Sequence, residues 1–337
     1  MFYIVIDRKI WYNIKKCYRR FIVPYLLLLV GFIFLIKGAD LFVDGASSIA
    51  SKLKIPSLII GLTVVSMGTS APEAAISISA SLTGSGDISL GNIIGSNLFN
   101  LLIVIGVCAV ICPVVSDKDI IRRDMPLNIG VTGAMLIMML DGKLGRIDAL
   151  IMLTVFILYL VFLIVSTTKN RDKNADESEG KSLSWTISVL FSVIGVAGIV
   201  FGGDMVVDNA QLIAKQLGMS NTLIGLTVVA LGTSLPELVT SVVAARKNKA
   251  DIALGNAVGS CLFNFLFVFG LAGVIKPMQA DPDLVIDAAI LLGVTVMMLI
   301  FAITKKRIGR IEGVACVLVY LLYTAYIIMR TYHFWIF

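Results

Sequence analysis

The chain repeats itself at a spacing of 164 residues, and that duplication restricts what it can fold into. Residues 56–107 align with 220–271 without a gap, 26 of the 52 positions being identical. The preceding stretch, 38–55 against 202–219, adds 8 more identities. One copy reads IGLTVVSMGTSAPE (60–73) and the other IGLTVVALGTSLPE (224–237). Further on, DISLGNIIGSNLFN (87–100) matches DIALGNAVGSCLFN (251–264). A duplicated apolar unit needs to keep only its hydrophobic periodicity. Here the shared residues are largely Gly, Ser, Thr, Asn, Asp, Glu and Pro, and polar groups at membrane depth cost free energy.

The surroundings of these motifs are membrane-like. Hydrophobic residues make up 58% of the chain and charged residues 15%, against about 25% charged in a soluble domain. Residues 21–36 and 149–165 contain no charge, and each approaches the ~20 apolar residues that cross a bilayer as a helix. Ten such segments are predicted, at 21–44, 56–82, 88–112, 125–141, 147–168, 185–207, 220–245, 252–275, 284–304 and 311–332. Backbone groups in lipid must be satisfied within the segment, so these are helices. Each half holds five spans, an odd number, so the second copy enters the membrane from the opposite side. The predicted fold is therefore an all-α integral membrane protein with ten transmembrane helices in two inverted five-helix repeats. Residues 1–20 form a basic N-terminal tail, 21–168 the first repeat, 169–184 a polar cytoplasmic linker and 185–337 the second repeat. Inverted repeats with interrupted helices are a signature of secondary transporters.

These features exclude several classes. The loops leave no room for a soluble catalytic domain. The lone histidine, His333, falls in the final tail, which argues against a histidine proton relay and against an enzyme. The net charge of +6 reflects basic cytoplasmic loops meeting anionic lipid rather than nucleic acid. The polar, basic first 20 residues do not read as a cleavable signal peptide. With the N-terminus outside, cytoplasmic loops hold 16 Lys and Arg and outside loops 4. That bias places both termini outside in the plasma (inner) membrane, although the tail itself carries six basic residues.

The motif Gly68–Glu73 carries the chemistry. Glycine and proline loosen a helix, and proline removes one donor, so backbone carbonyls are freed. Ser66, Ser70, Glu73 and Ser77 fall on one face at helical spacing, as do Ala230, Ser234, Glu237 and Ser241. Thr69 and Thr233 add hydroxyls at the break. The next span supplies a second stripe, Asn92, Ser96 and Asn100, repeated as Asn256, Ser260 and Asn264. Asp87 and Asp251 begin these spans, as helix caps or as guides at the mouth. Glu73 and Glu237 have no Lys or Arg in their own spans or in the Asn-bearing spans beside them. Either they are buried protonated and bonded to serines, or a bound cation supplies the missing charge. The donor set is carboxylate, hydroxyl, amide and carbonyl oxygen, which suits Ca²⁺ and Na⁺ rather than zinc or copper.

The paired GTSxPE and GNxxGSxxFN elements resemble the two alpha-repeats of the calcium/cation antiporter superfamily, closest to prokaryotic sodium/calcium exchangers. The resemblance covers about residues 21 to 332. It implies exchange of Ca²⁺ for Na⁺ by alternating access, with one Ca²⁺ site and several Na⁺ sites between the second, third, seventh and eighth spans. By motif match, Glu73 and Glu237 are the shared carboxylate ligands. Thr69, Ser70, Thr233, Ser234, Ser96, Ser260, Asn100 and Asn264 complete the sites, with main-chain oxygens of Ser66 and Ala230. Some relatives, resembling the potassium-dependent members, carry Asp where this chain has Asn264, so the resemblance implies potassium-independent transport. Cys261 replaces the Asn97 of the first copy and reads as packing. No cofactor is implied; the ions are cargo, membrane lipids are the partners, and the unit is a monomer. The alternatives are a Ca²⁺/H⁺ antiporter and a cation channel.

The orientation is testable. A single cysteine placed in 169–184 should react with an impermeant maleimide only after the cells are permeabilised. Ready labelling of intact cells would reverse the assignment.

Overall fold

The computed structural model describes residues 8–115, 118–169, 183–219 and 230–331. Residues 170–182 of the expected linker, the first part of the seventh expected span at 220–229, and His333 lie outside the described residues. The helices are α1 (Arg8–Leu53), α2 (Ser57–Thr69), α3 (Ala71–Thr83), α4 (Gly86–Ile111), α5 (Met125–Met139) and α6 (Arg146–Lys169). They continue as α7 (Trp185–Gln216), α8 (Ala230–Thr233), α9 (Leu235–Arg246), α10 (Ala250–Ile275), α11 (Pro282–Lys305) and α12 (Arg310–Thr331). Among the described residues, seven helices are long and apolar enough to cross a membrane, and the bent pair α2 and α3 makes an eighth. At 125–141 the helix has 15 residues and follows a π-helical turn, Ile120–Asp124.

The first span is longer than expected. Its helix begins at Arg8, inside the expected tail, and runs unbroken to Leu53. It lies antiparallel to α7: Gly31 meets Gly202, Gly38 meets Gly195, and Gly45 meets Ser188. A methyl group on Gly38 would sit 2.7 Å from the Ile199 nitrogen, so the two backbones touch where a side chain would part them. The outer faces are apolar and open, with Ile33 61%, Phe201 69% and Leu158 63% exposed. Apolar patches of this extent mark a surface made for lipid.

The centre is built differently. In α4 and α10, 78% of the apolar window is buried inside the protein, against 28% in α6 and α7 and 11% in α12. The two helices that carry the Asn stripes are thus the inner pair. Helix α10 lies close against α2, where a methyl on Gly259 would come 2.7 Å from the Leu62 carbonyl oxygen.

Short strands join the halves at the ends. β1 (Val114–Val115) pairs antiparallel with β4 (Arg307–Ile308), and β2 (Lys143–Leu144) with β3 (Met278–Gln279). Ion pairs add to this. The Lys247 ammonium lies 2.8 Å from Asp44 and 3.2 Å from Asp40, which gives these two acids of α1 a structural partner. Arg330 of α12 grips Asp287 of α11 with two bonds, at 2.9 and 3.1 Å.

A third ion pair is fully internal on the acid side. Asp124 has no exposed surface; it accepts two bonds from Arg123 at 2.8 and 2.9 Å and one from the Tyr159 hydroxyl at 3.1 Å. Breaking a buried pair by removing one partner strands the other charge, at about 3–5 kcal/mol. Arg123→Leu should therefore lose about that much stability, and Arg123→Leu combined with Asp124→Leu should recover most of it. Thermal unfolding in detergent measures both; equal loss in the two variants would show that the charge of Asp124 is not what matters.

Candidate ion-binding site

The duplicated GTSxPE motif sits at a helix break in both halves. Helices α2 and α3 meet at Ser70 with a bend of 50°, and Ser70 has φ −85° and ψ 9°. Pro72 follows in the first turn of α3. It has no N–H to give the Gly68 carbonyl one turn back, and the chain changes direction there. The second copy repeats the construction: α8 ends at Thr233, Ser234 has φ −94° and ψ 7°, and Pro236 opens α9. Glu73 lies in the first turn of α3 and Glu237 in the first turn of α9. Both carboxyl groups thus sit at the positive end of a helix dipole.

The breaks face each other. The Ser70 hydroxyl donates to Glu237 Oε1 at 2.7 Å, and the Ser234 hydroxyl donates to Glu73 Oε1 at 2.9 Å. Each half therefore holds the carboxylate of the other. Ser234 also lies 3.3 Å from the Ser96 hydroxyl. Ser66, Ser70, Glu73, Ser234, Glu237, Ser260, Asn100 and Asn264 have no exposed surface, and Thr69, Ser96 and Thr233 are buried. The structure thus gathers the two glutamates, Ser70, Ser234 and Ser96 into one bonded cluster. Ser66 uses its hydroxyl on the Leu62 carbonyl at 2.9 Å, and its own carbonyl accepts the Ser70 N–H at 2.9 Å. Ala230 opens α8.

Several oxygens remain open. Glu73 Oε2, Glu237 Oε2, the Ser260 hydroxyl, Asn264 Oδ1 and both polar atoms of the Asn100 amide are buried without a protein partner. Buried polar groups are ordinarily hydrogen-bonded. Six of the atoms left over are carboxylate, hydroxyl and amide groups from the four motif segments, with no ion pair to a basic side chain at either glutamate among those formed by the described residues. Oxygen donors of this kind fit Ca²⁺ and Na⁺ as transported ions. Asn100 and Asn264 also begin π-helical turns, Asn100–Val104 and Asn264–Phe269, a distortion that gathers at functional positions.

Not every polar residue of the stripes is free. Asn92 donates to the Glu73 carbonyl at 3.2 Å and to the Ser77 hydroxyl at 2.9 Å, and Asn256 does the same to Glu237 and Ser241 at 3.3 and 2.9 Å. Asn256 also accepts from the Thr69 hydroxyl at 3.0 Å. These two asparagines brace the Glu-bearing turns. Asp87 and Asp251 do not cap their helices, since the cap positions are Ser85 and Lys249. Asp87 instead lines a cavity of about 420 Å³ with Lys276 and Asp281.

The sequence profile described as "Sodium/calcium exchanger protein" matches residues 23–165 and again 187–329. The chain belongs to the sodium/calcium exchanger family. The two matches are offset by 164 residues, 187 − 23, the spacing of the internal repeat. It is similar to the putative antiporter CaxA of Alkalimonas amylolytica, 38% identical over 88% of this chain and 95% of that protein. The sodium/calcium exchanger MaX1 of Methanosarcina acetivorans is 32% identical over 88% of this chain and 96% of its own. A solved structure of the sodium-calcium exchanger NCX_Mj, soaked with Na⁺ and Sr²⁺, matches with a TM-score of 0.80 and 31% identity, over 90% of this chain and 98% of that one. The family is one of multi-pass membrane antiporters rather than enzymes.

The cross-repeat bonds give a prediction. A hydrogen bond to a charged acceptor contributes about 1.5–3 kcal/mol. Ser70→Ala should lower thermal stability in Ca²⁺-free buffer by about that much, and Ser234→Ala likewise. An unchanged melting temperature in both would show that these contacts carry no energy.

Proposed function

We propose that this exchanger moves Ca²⁺ against Na⁺ by alternating access, without potassium, through one site built by Glu73 and Glu237. The observation that carries this reading is the reciprocal Ser–Glu bonding, which brings the two carboxylates of separate halves together and leaves one oxygen of each without a partner. Two carboxylates neutralise one Ca²⁺. Once it leaves, Na⁺ ions take its place among the remaining oxygens of Thr69, Ser70, Thr233, Ser234, Ser96, Ser260, Asn100 and Asn264 and the carbonyls of Ser66 and Ala230. Ten helices in two inverted repeats accommodate this arrangement. Strand pairs between loops of the two halves fit the inverted arrangement. Strand β1 follows the third expected span and β4 the ninth, β2 the fourth and β3 the eighth, so each pair lies on one side of the membrane. The protein then works as a monomer in the inner membrane, with both termini outside.

Ca²⁺ uptake into proteoliposomes under a Na⁺ gradient, compared with pH and K⁺ gradients, tests the exchange. Transport should follow Na⁺ and run without K⁺. A need for K⁺ on the calcium side would overturn the role given to Asn264, and uptake driven by pH alone would overturn sodium coupling. Glu73→Gln and Glu237→Gln keep shape but delete a charge, and each should abolish Na⁺-driven Ca²⁺ uptake while the protein stays folded. Ca²⁺ at a hundred times its dissociation constant stabilises a folded site by about 2.7 kcal/mol. That rise in melting temperature should appear in the wild type and vanish in both variants. Folded variants that transport at wild-type rates and keep the rise would make the glutamates structural.

A further inference from the structure

One difference between the two halves behind the site is Asn97 against Cys261. Asn97 is fully buried. Its Nδ2 donates to the backbone carbonyl of Cys261 at 3.3 Å, and its Oδ1 accepts from Asn264 Nδ2 at 3.1 Å. The orientation of both amides follows from this chain of bonds. A carbonyl oxygen only accepts, so Asn97 must turn its NH₂ toward Cys261 and its oxygen toward Asn264. Asn264 must then use its NH₂ on Asn97, which leaves Oδ1 as its free group, and that oxygen is buried without a partner. Ser260, one turn earlier on the same helix face, also carries a buried hydroxyl without a partner.

The first half has no such chain. The Cys261 thiol lies 3.8 Å from the Asn97 carbonyl and also bonds Asn128, not the Asn100 amide, and both ends of that amide are buried without a partner. A thiol is a weak donor and a weak acceptor, so it does not fix an amide as an asparagine does.

We propose that Asn97 is a positioning residue that locks Asn264 with its carbonyl oxygen toward the cation, while Asn100 keeps a freely turning amide. The proposal rests on the reading of Asn264 as an ion ligand. The pseudo-symmetric site then has one fixed and one adjustable amide. The fixed oxygen is set in place before the ion arrives, so its contribution is not diminished by ordering. Removing Asn97 leaves Asn264 chemically intact but frees its orientation.

A double-mutant cycle tests this in the full-length protein in detergent, with half-saturating Ca²⁺ read from the rise in melting temperature and then from transport in proteoliposomes. Asn97→Cys installs the residue that the second half already carries at this position, and Asn97→Ser replaces it if the cysteine variant fails to fold. The variant should raise half-saturating Ca²⁺ about three- to tenfold, the worth of one hydrogen bond. In an Asn264→Ala background the same change should add nothing, because Asn97 acts only through Asn264. If Asn264→Ala weakens Ca²⁺ binding but the Asn97 variant does not, the positioning role is wrong and the ligand reading stands. An equal effect in both backgrounds also overturns the positioning role. If Asn264→Ala leaves Ca²⁺ binding unchanged, the ligand reading fails and the positioning role fails with it.

Discussion

Two carboxyl groups buried in a protein interior, with no basic partner among the described residues, set the conditions for everything around them. A carboxylate at membrane depth costs about 2.5–3.5 kcal/mol or more, and two close together add their repulsion. The chain meets that cost with local polarity. Each helix is interrupted one turn ahead of its glutamate, so that a helix N-terminus lies at the acid. A serine from the opposite half donates to one oxygen of each. Asn92 and Asn256 hold the turns in place through the Glu73 and Glu237 carbonyls. What is left over is one oxygen on each acid, buried without a hydrogen-bond partner.

The same requirement explains the layering. The interrupted helices can be tolerated only where lipid does not reach their freed backbone groups. Helices α4 and α10 fill that protected interior, and α1, α6, α7 and α12 turn apolar faces outward. Glycine lets α2 and α10 approach to backbone contact at Leu62 and Gly259.

Much of this was legible in the sequence, because duplication separates retained polar residues from replaceable apolar ones. The glutamates, the serines of the breaks and the paired asparagine stripes stood out for that reason. The pairing between halves did not. An internal repeat shows which residues are equivalent, and equivalence gives no sign that Ser70 would bond Glu237 rather than its own Glu73. The Asp124–Arg123–Tyr159 cluster also stayed hidden, since its tyrosine comes from 35 residues away and apolar periodicity carries no signal for it. The same holds for Arg330 and Asp287. The length of α1 was missed because basic residues at its start read as a solvated tail, although Lys and Arg are good helix formers. Asn97 against Cys261 was visible as a substitution, but its meaning lies in the direction of an amide, which only the bonded chain fixes.

The two small strand pairs have a mechanical consequence. Each one joins a loop of the first half to a loop of the second, one through Val114 and Ile308 and the other through Leu144 and Met278. The strands therefore add two separate backbone seams between the halves. A hinge that swung one whole half away from the other would have to rip both seams, giving up paired backbone groups at each. Rearrangement that leaves the seams closed is confined to parts not stitched by them, and in this chain the longest unstitched piece is the glycine-lined pair α1 and α7.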